Sequence, residues 1–207
     1  SRGLGDVYKR QIKTVENKHT HLVPEELEQL ERLSLTDKHM KLQKSLDAFL
    51  FCCYAGMRYS DFTNLSKKNI VDINQETWLI YKSVKTGTEV RLPLYLLFAG
   101  KGIVILNKYR NNLEDFFRLR DNSNINKDLI IIAKLAGLSK KISFHTARHT
   151  NATLLIYNGV NITTVQKLLG HKSVKTTQVY ANIMDITLVR DLEKAIYSKA
   201  GGKHKGN

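Results

Sequence analysis

The sequence predicts an α+β domain, mainly α-helical, with one small three-stranded antiparallel sheet. Three observations carry this. Apolar residues recur at helical spacing over most of the chain, as at Leu42, Leu46, Phe49, Leu50 and Cys53. Over residues 68–94 the pattern changes to alternation, where Val90, Leu92 and Leu94 interleave with Glu89, Arg91 and Pro93. Between the helical runs stand Gly56, Gly137, Gly159 and Gly170, each where a residue just past a helix end belongs.

In chain order, residues 1–20 are polar and basic without a period, and read as a tail or linker. Pro24-Glu25-Glu26 is a helix start: proline suits the first helical position, and two acids face the positive end of the dipole. Leu27, Leu30 and Leu33 continue one face. A second helix is expected from about residue 37, ending at Gly56. Ile70, the run at 78–81 and the alternation at 89–94 make the sheet, with a turn around Thr86-Gly87. Residues 95–122 read as mostly helical with a break near residues 100–102. A helix over 124–136 follows, with Ile125, Leu129, Ile132 and Ala133 as its core stripe. Another spans 145–158, and a short one begins after Asn161, a good N-cap, and ends at Leu169. Ser173 is placed to cap a further helix carrying Tyr180. A last helix is expected over 185–199, and a tail over 200–207.

At 207 residues the chain is one domain with tails, and 42% apolar residues suffice for a core. Thirty-three basic against 19 acidic residues give a net charge of +14. Such an excess points to a polyanionic partner, nucleic acid first and an anionic membrane surface second. No apolar stretch is long enough for a membrane-spanning helix, so no membrane partner is expected, and the first residues lack the apolar core of a signal peptide. Cys52 and Cys53 are adjacent within an apolar run and read as small buried hydrophobes in a reducing compartment. A cytoplasmic location is expected.

The stretch over 143–180 holds the chemistry. His145 and Arg148 are three apart at a helix start and share a face. A guanidinium matches two phosphate oxygens, and an imidazole exchanges protons near neutral pH. His149 is taken to point elsewhere, as a structural residue. His171 follows Gly170 at a helix end, and Tyr180 comes nine residues later. Upstream, Arg58 stands at the mouth of a helix end near Asp61. Lys85 lies beside the hairpin turn.

These residues resemble the catalytic domain of the tyrosine recombinases, the phage-type integrases. The likeness covers residues 21–190. It rests on Gly56-Met57-Arg58-Tyr59-Ser60-Asp61, on Lys85, on His145-Thr146-Ala147-Arg148-His149-Thr150, on Leu168-Leu169-Gly170-His171-Lys172-Ser173, and on Thr176-Thr177-Gln178-Val179-Tyr180. Ala147 and Met57 stand where leucine is commoner in the family.

The resemblance implies a catalytic domain over residues 21–199 that cleaves and rejoins DNA through a 3′-phosphotyrosyl link. Tyr180 is the implied nucleophile. Arg58, Arg148 and His171 hold the non-bridging oxygens, Lys85 protonates the leaving 5′-oxygen, His145 helps deprotonate Tyr180, and Asp61 buttresses Arg58. Lys82, three residues from Lys85, stays open as the hairpin lysine. No metal or cofactor is implied. The implied partners are double-stranded DNA and further copies of the chain, as a homo-oligomer (a tetramer) on DNA and a monomer in free solution. The family's helical N-terminal domain has no room before Leu22. A type IB topoisomerase-like DNA-relaxing enzyme and a catalytically silent DNA-binding relative are the competing readings.

Overall fold

The computed structural model describes residues 20–180, so the expected helix over 185–199 and both tails lie outside the described residues. Two helices form the centre. Helix α1 (Pro24–Glu31) leads through a 3-10 turn (Asp37–Leu42) into α2 (Gln43–Ala55). Every residue of α2 from Ser45 to Ala55 is buried. A helix with no polar face has to be enclosed by other elements. Helix α3 (Tyr59–Thr63), strands β1 (Ile70–Ile73), β2 (Glu76–Lys82) and β3 (Glu89–Pro93), and helices α4 (Lys101–Lys108), α5 (Leu113–Phe117) and α6 (Asn122–Leu135) follow. The second central helix is α7 (Phe144–Tyr157), and α8 (Ile162–Leu169) packs behind it. The described chain is thus mainly helical, with a single sheet of order β1-β2-β3, antiparallel throughout.

Phe51, Phe62, Phe116, Phe117 and Phe144 fill the space between α2, α3, α5 and α7, mostly as edge-on or tilted ring pairs. Both central helices are also tied by polar contacts. The Asn151 amide on α7 donates to the Cys53 and Tyr54 carbonyls, each at 2.9 Å, and so caps the end of α2. The start of α7 is pinned by α6, where the Phe144 N–H donates to Asn126 Oδ1 at 2.8 Å. These bonds hold the end of one helix beside the start of the other, which is where the chemistry-bearing residues gather.

Three expectations change in detail. The helix expected from residue 37 begins as a 3-10 turn and becomes α-helical only at Gln43. The break expected near 100–102 lies earlier, at Phe98, Ala99 and Gly100, all in the left-handed region, and a second break separates α4 from α5. Tyr180 is not on an α-helix. Ser173 does cap, accepting from Lys175 N–H at 3.2 Å, but only two 3-10 turns follow (Val174–Thr176 and Gln178–Tyr180). Three of the first four residues after Ser173 are β-branched, which disfavours a helix, and Thr177 is held by His171 instead. Among the described residues no helix is long and apolar enough to cross a membrane.

Candidate active site

The end of α2 sets the first wall. Gly56 takes φ of 67°, turning the chain so that Arg58 becomes the N-cap of α3. The Arg58 side chain is 14% exposed, with Nη1 3.5 Å from Asp61 Oδ2 and 3.4 Å from Ser83 Oγ. Asp61 is fully buried. Its Oδ1 accepts the Val84 N–H at 2.8 Å, and Ser83 donates to Oδ2 at 3.3 Å. Asp61 therefore ties Arg58 to the β2–β3 loop from behind.

Arg148 sits deeper, 2% exposed. It donates to the Gly56 carbonyl at 2.7 Å and to the Leu169 carbonyl at 2.6 Å. Both belong to helix C-terminal ends, where the dipole is negative and carbonyls lack helical partners. Burial, then the neighbouring Arg58 charge, brings its pKa down to about 10. It stays cationic at neutral pH. One guanidinium so joins the ends of α2 and α8.

Gly170 allows this closure. It has φ of 63°, and an added Cβ would lie 2.6 Å from Val90 Cγ2 on β3. The Thr86 hydroxyl donates to its carbonyl at 3.1 Å, fixing the hairpin loop on the end of α8. Gly170→Ala combines left-handed strain with overpacking, so a loss of about 2–4 kcal/mol is expected. Urea unfolding measures it, and a loss below about 1 kcal/mol would mean that β3 yields freely.

His171 stands where the cations meet. Its Nδ1 is 2.9 Å from Thr177 Oγ1. Burial, then the charges of Arg148, Arg58, Lys85 and His145 in that order, pushes its pKa down to about 4. Those four groups therefore act electrostatically on one imidazole. The ring is neutral at pH 7. With Thr177 donating to Nδ1, the proton rests on Nε2 and remains available for donation. The depressed pKa has a sign: the stability it contributes is complete above the ordinary value of 6.5 and is lost as pH falls toward 4. Melting temperature should decline over that window, and His171→Gln should flatten the decline. An unchanged slope in His171→Gln would place the imidazole outside the cationic field.

Lys85 lies exposed in the loop between β2 and β3 and acts electrostatically on His171. Lys82 sits at the end of β2, opposite Glu89 in the ladder. His145 is exposed in the first turn of α7, its ring perpendicular to that of His149 with 4.5 Å between centroids. Tyr180 is 4% exposed. Burial pushes its phenol up to about 12, with Arg148 pulling the other way. Its hydroxyl is 2.7 Å from His149 Nδ1.

That last contact corrects the sequence reading. His149 does not point away as a purely structural residue. The available signal was its i, i+4 relation to His145, which puts both rings on one helix face. Adjacency to Arg148 gives no sign of this contact. Ser83 and Thr177, which orient Arg58 and His171, carry no mark of that role in their residue type. Tyr81 was missed too: its hydroxyl is buried near Asp61, Arg148 and Arg58, without a hydrogen-bond partner among the described residues.

The fold thus draws Arg58, Lys85, His145, Arg148 and His171 from four separate segments, His145 and Arg148 sharing α7, and Tyr180 feels the Arg148 charge. Converging cations with an imidazole N–H suit an oxygen anion, and a phenol beside them is a nucleophile that such an anion's phosphorus could receive.

The chain is similar to known proteins over most of its described length. The phage integrase family model matches residues 20–185. A tyrosine recombinase of Pseudothermotoga lettingae is 31% identical over 169 residues, covering 79% of this chain and 56% of that protein. The fold is similar to that of the XerH site-specific recombinase bound to a palindromic difH substrate, with a TM-score of 0.64, 21% identity, and coverage of 84% and 52%. It is similar also to the XerA recombinase, with a TM-score of 0.64, 24% identity, and coverage of 83% and 65%. The chain spans about half the length of the curated relatives it matches.

Proposed function

This chain belongs to the phage integrase family, and on that premise we propose that it is a site-specific DNA recombinase working through a 3′-phosphotyrosyl intermediate. The observation that supports the reading is that Arg148 joins the Gly56 and Leu169 carbonyls, which sets it between the segments carrying Arg58 and His171, and Tyr180 packs on the same helix through His149. The bound polyanion is double-stranded DNA, to which the net charge of +14 is suited.

In the reaction, Tyr180 attacks the scissile phosphorus. Arg58 and Arg148 neutralise the non-bridging oxygens as charge builds there, and His171 adds an Nε2–H donor. Each such donor is worth roughly 3–4 kcal/mol in the transition state. Lys85 gives a proton to the departing 5′-oxygen, and His145 assists removal of the Tyr180 proton. Asp61 holds Arg58 in place and stays away from the phosphate. The step is reversed by a 5′-hydroxyl from the same or a partner strand, so bond energy is conserved. The chain acts in the cytoplasm as a tetramer on DNA, integrating or excising a mobile element. Residues 21–199 form the catalytic domain, flanked by a tail or linker over 1–20 and a tail over 200–207.

The lysine assignment has its own test. Lys85→Ala should slow strand cleavage about 10²–10⁴-fold, the usual value of general-acid help. Lys82→Ala should stay within about threefold of the parent. A substrate with sulfur at the bridging 5′ position has a leaving group that needs no acid, and should restore Lys85→Ala. If Lys82→Ala carries the loss and the rescue, the roles are exchanged.

The reading as a whole is tested with nicked suicide duplexes bearing the sequence this chain selects from a random duplex pool. A covalent DNA–protein adduct that survives denaturation is the expected result. Relaxation of plasmid DNA without any specific site, and with no selected sequence, would favour a topoisomerase instead.

A further inference from the structure

His149 is a side chain at this site for which the reaction above has no use. It lies 9% exposed in the middle of α7, one turn beyond His145. Its Nδ1 is 2.7 Å from the Tyr180 hydroxyl, the usual length of a bond from a hydroxyl. The two rings are tilted, 6.0 Å apart between centroids. In the neutral tautomer that carries its proton on Nε2, Nδ1 accepts this bond from the phenol. His145 stands edge-to-face against the same ring, 4.5 Å between centroids, and limits its rotation.

We propose that His149 is a further catalytic residue, the group that takes the proton from Tyr180 as the phenol oxygen attacks phosphorus. The proposal rests on the strand-transfer reading above and deepens it. The Tyr180 O–H bond breaks and its proton passes to His149 Nδ1, giving an imidazolium. The freed electron pair forms the bond to phosphorus as the bond from phosphorus to the 5′-oxygen breaks. The Lys85 ammonium supplies the proton to that oxygen. In the reverse step both protons return along the same lines.

Two features favour this assignment over a structural bond. The ring nitrogen lies 2.7 Å from the reacting oxygen itself. Tyr180 is also buried, which makes the free phenolate scarce, so proton loss has to be coupled to attack. His145 then supports the acceptor by holding its ring, which suits the exposed position of His145 at the first turn.

The test uses this chain on the nicked suicide duplexes described above, with fluorinated tyrosine placed at position 180 in a second series. Fluorine makes the phenol more acidic and lessens the need for a base. His149→Ala should slow adduct formation about 10²-fold, and His149→Asn, which can accept a hydrogen bond but take up no proton, should be equally slow. Fluorotyrosine should recover at least about tenfold in either variant and change the parent little. Where His149→Ala melts too low to assay, the comparison is made in His149→Asn. The proposal is overturned if either variant works within about threefold of the parent, or if fluorotyrosine brings no recovery. Absence of any adduct from the parent chain is a separate outcome: it removes the recombinase reading, and this step with it.

Discussion

Tyr180→Phe is expected to abolish the covalent DNA–protein adduct while leaving the fold and DNA binding close to those of the parent. The substitution removes one oxygen and keeps the ring, which fills the same buried site. What is lost structurally is the single contact with His149 Nδ1. Leaving that nitrogen without its partner costs about 1–3 kcal/mol, a shift visible in urea unfolding but small beside total stability. What is lost chemically is the nucleophile, for which a phenyl ring offers no substitute. Adduct formation should therefore fall to background rather than by a finite factor. The measurement is denaturing electrophoresis of the suicide-duplex reaction, with binding followed separately by mobility shift. An adduct that persists in Tyr180→Phe would assign the attack to another residue.

The second large effect concerns Arg148, where stability and chemistry are joined. Its guanidinium bonds the Gly56 and Leu169 carbonyls, two helix-end acceptors buried away from solvent. Arg148→Lys keeps the charge but replaces a planar fork with a single ammonium. That group cannot span both carbonyls in the same geometry. A loss of about 3–5 kcal/mol is expected, since one buried acceptor is stranded and the remaining cation is poorly placed. Adduct formation should fall about 10²–10³-fold or more, measured at a temperature where the variant is folded. The two readouts should fall together. A lysine variant as stable as the parent would refute the joint anchoring of α2 and α8, whatever its activity.

The prediction for Arg148 could not have been made from the sequence, and the reason is general for this site. Residue type and spacing made Arg148 a candidate phosphate-binding cation, and the resemblance to the tyrosine recombinases implied that role. They could not reveal that part of its hydrogen-bonding capacity is spent on carbonyls at residues 56 and 169. Those contacts depend on two helices ending at one place, which is a property of packing. The same holds for Asp61. Its spacing from Arg58 suggested a supporting ion pair, whereas its bond to the Val84 N–H, which joins α3 to the hairpin, is a long-range fact. The choice between Lys85 and Lys82 belongs here too. Hairpin register decides it, and register is fixed by the sheet and by the Thr86–Gly170 contact rather than by local pattern.

The sequence by itself determined the class of the fold, the order of its elements and the identity of the groups that gather. Helical and alternating periodicities are local, and glycines at 56, 137 and 170 mark helix ends because only they take positive φ at no steric cost. Tertiary structure alone decided three things. The segment carrying Tyr180 became 3-10 turns instead of an α-helix, because His171 claims Thr177 and β-branched residues resist the helix. His149 was turned onto the Tyr180 hydroxyl, because α7 and the final turns meet side by side. His171 was partly buried, beside the charges of Arg148, Arg58 and Lys85, and so kept neutral. In each case the deciding interaction joins groups brought together by packing, and a pattern of residue types records which groups are present without recording which of them meet.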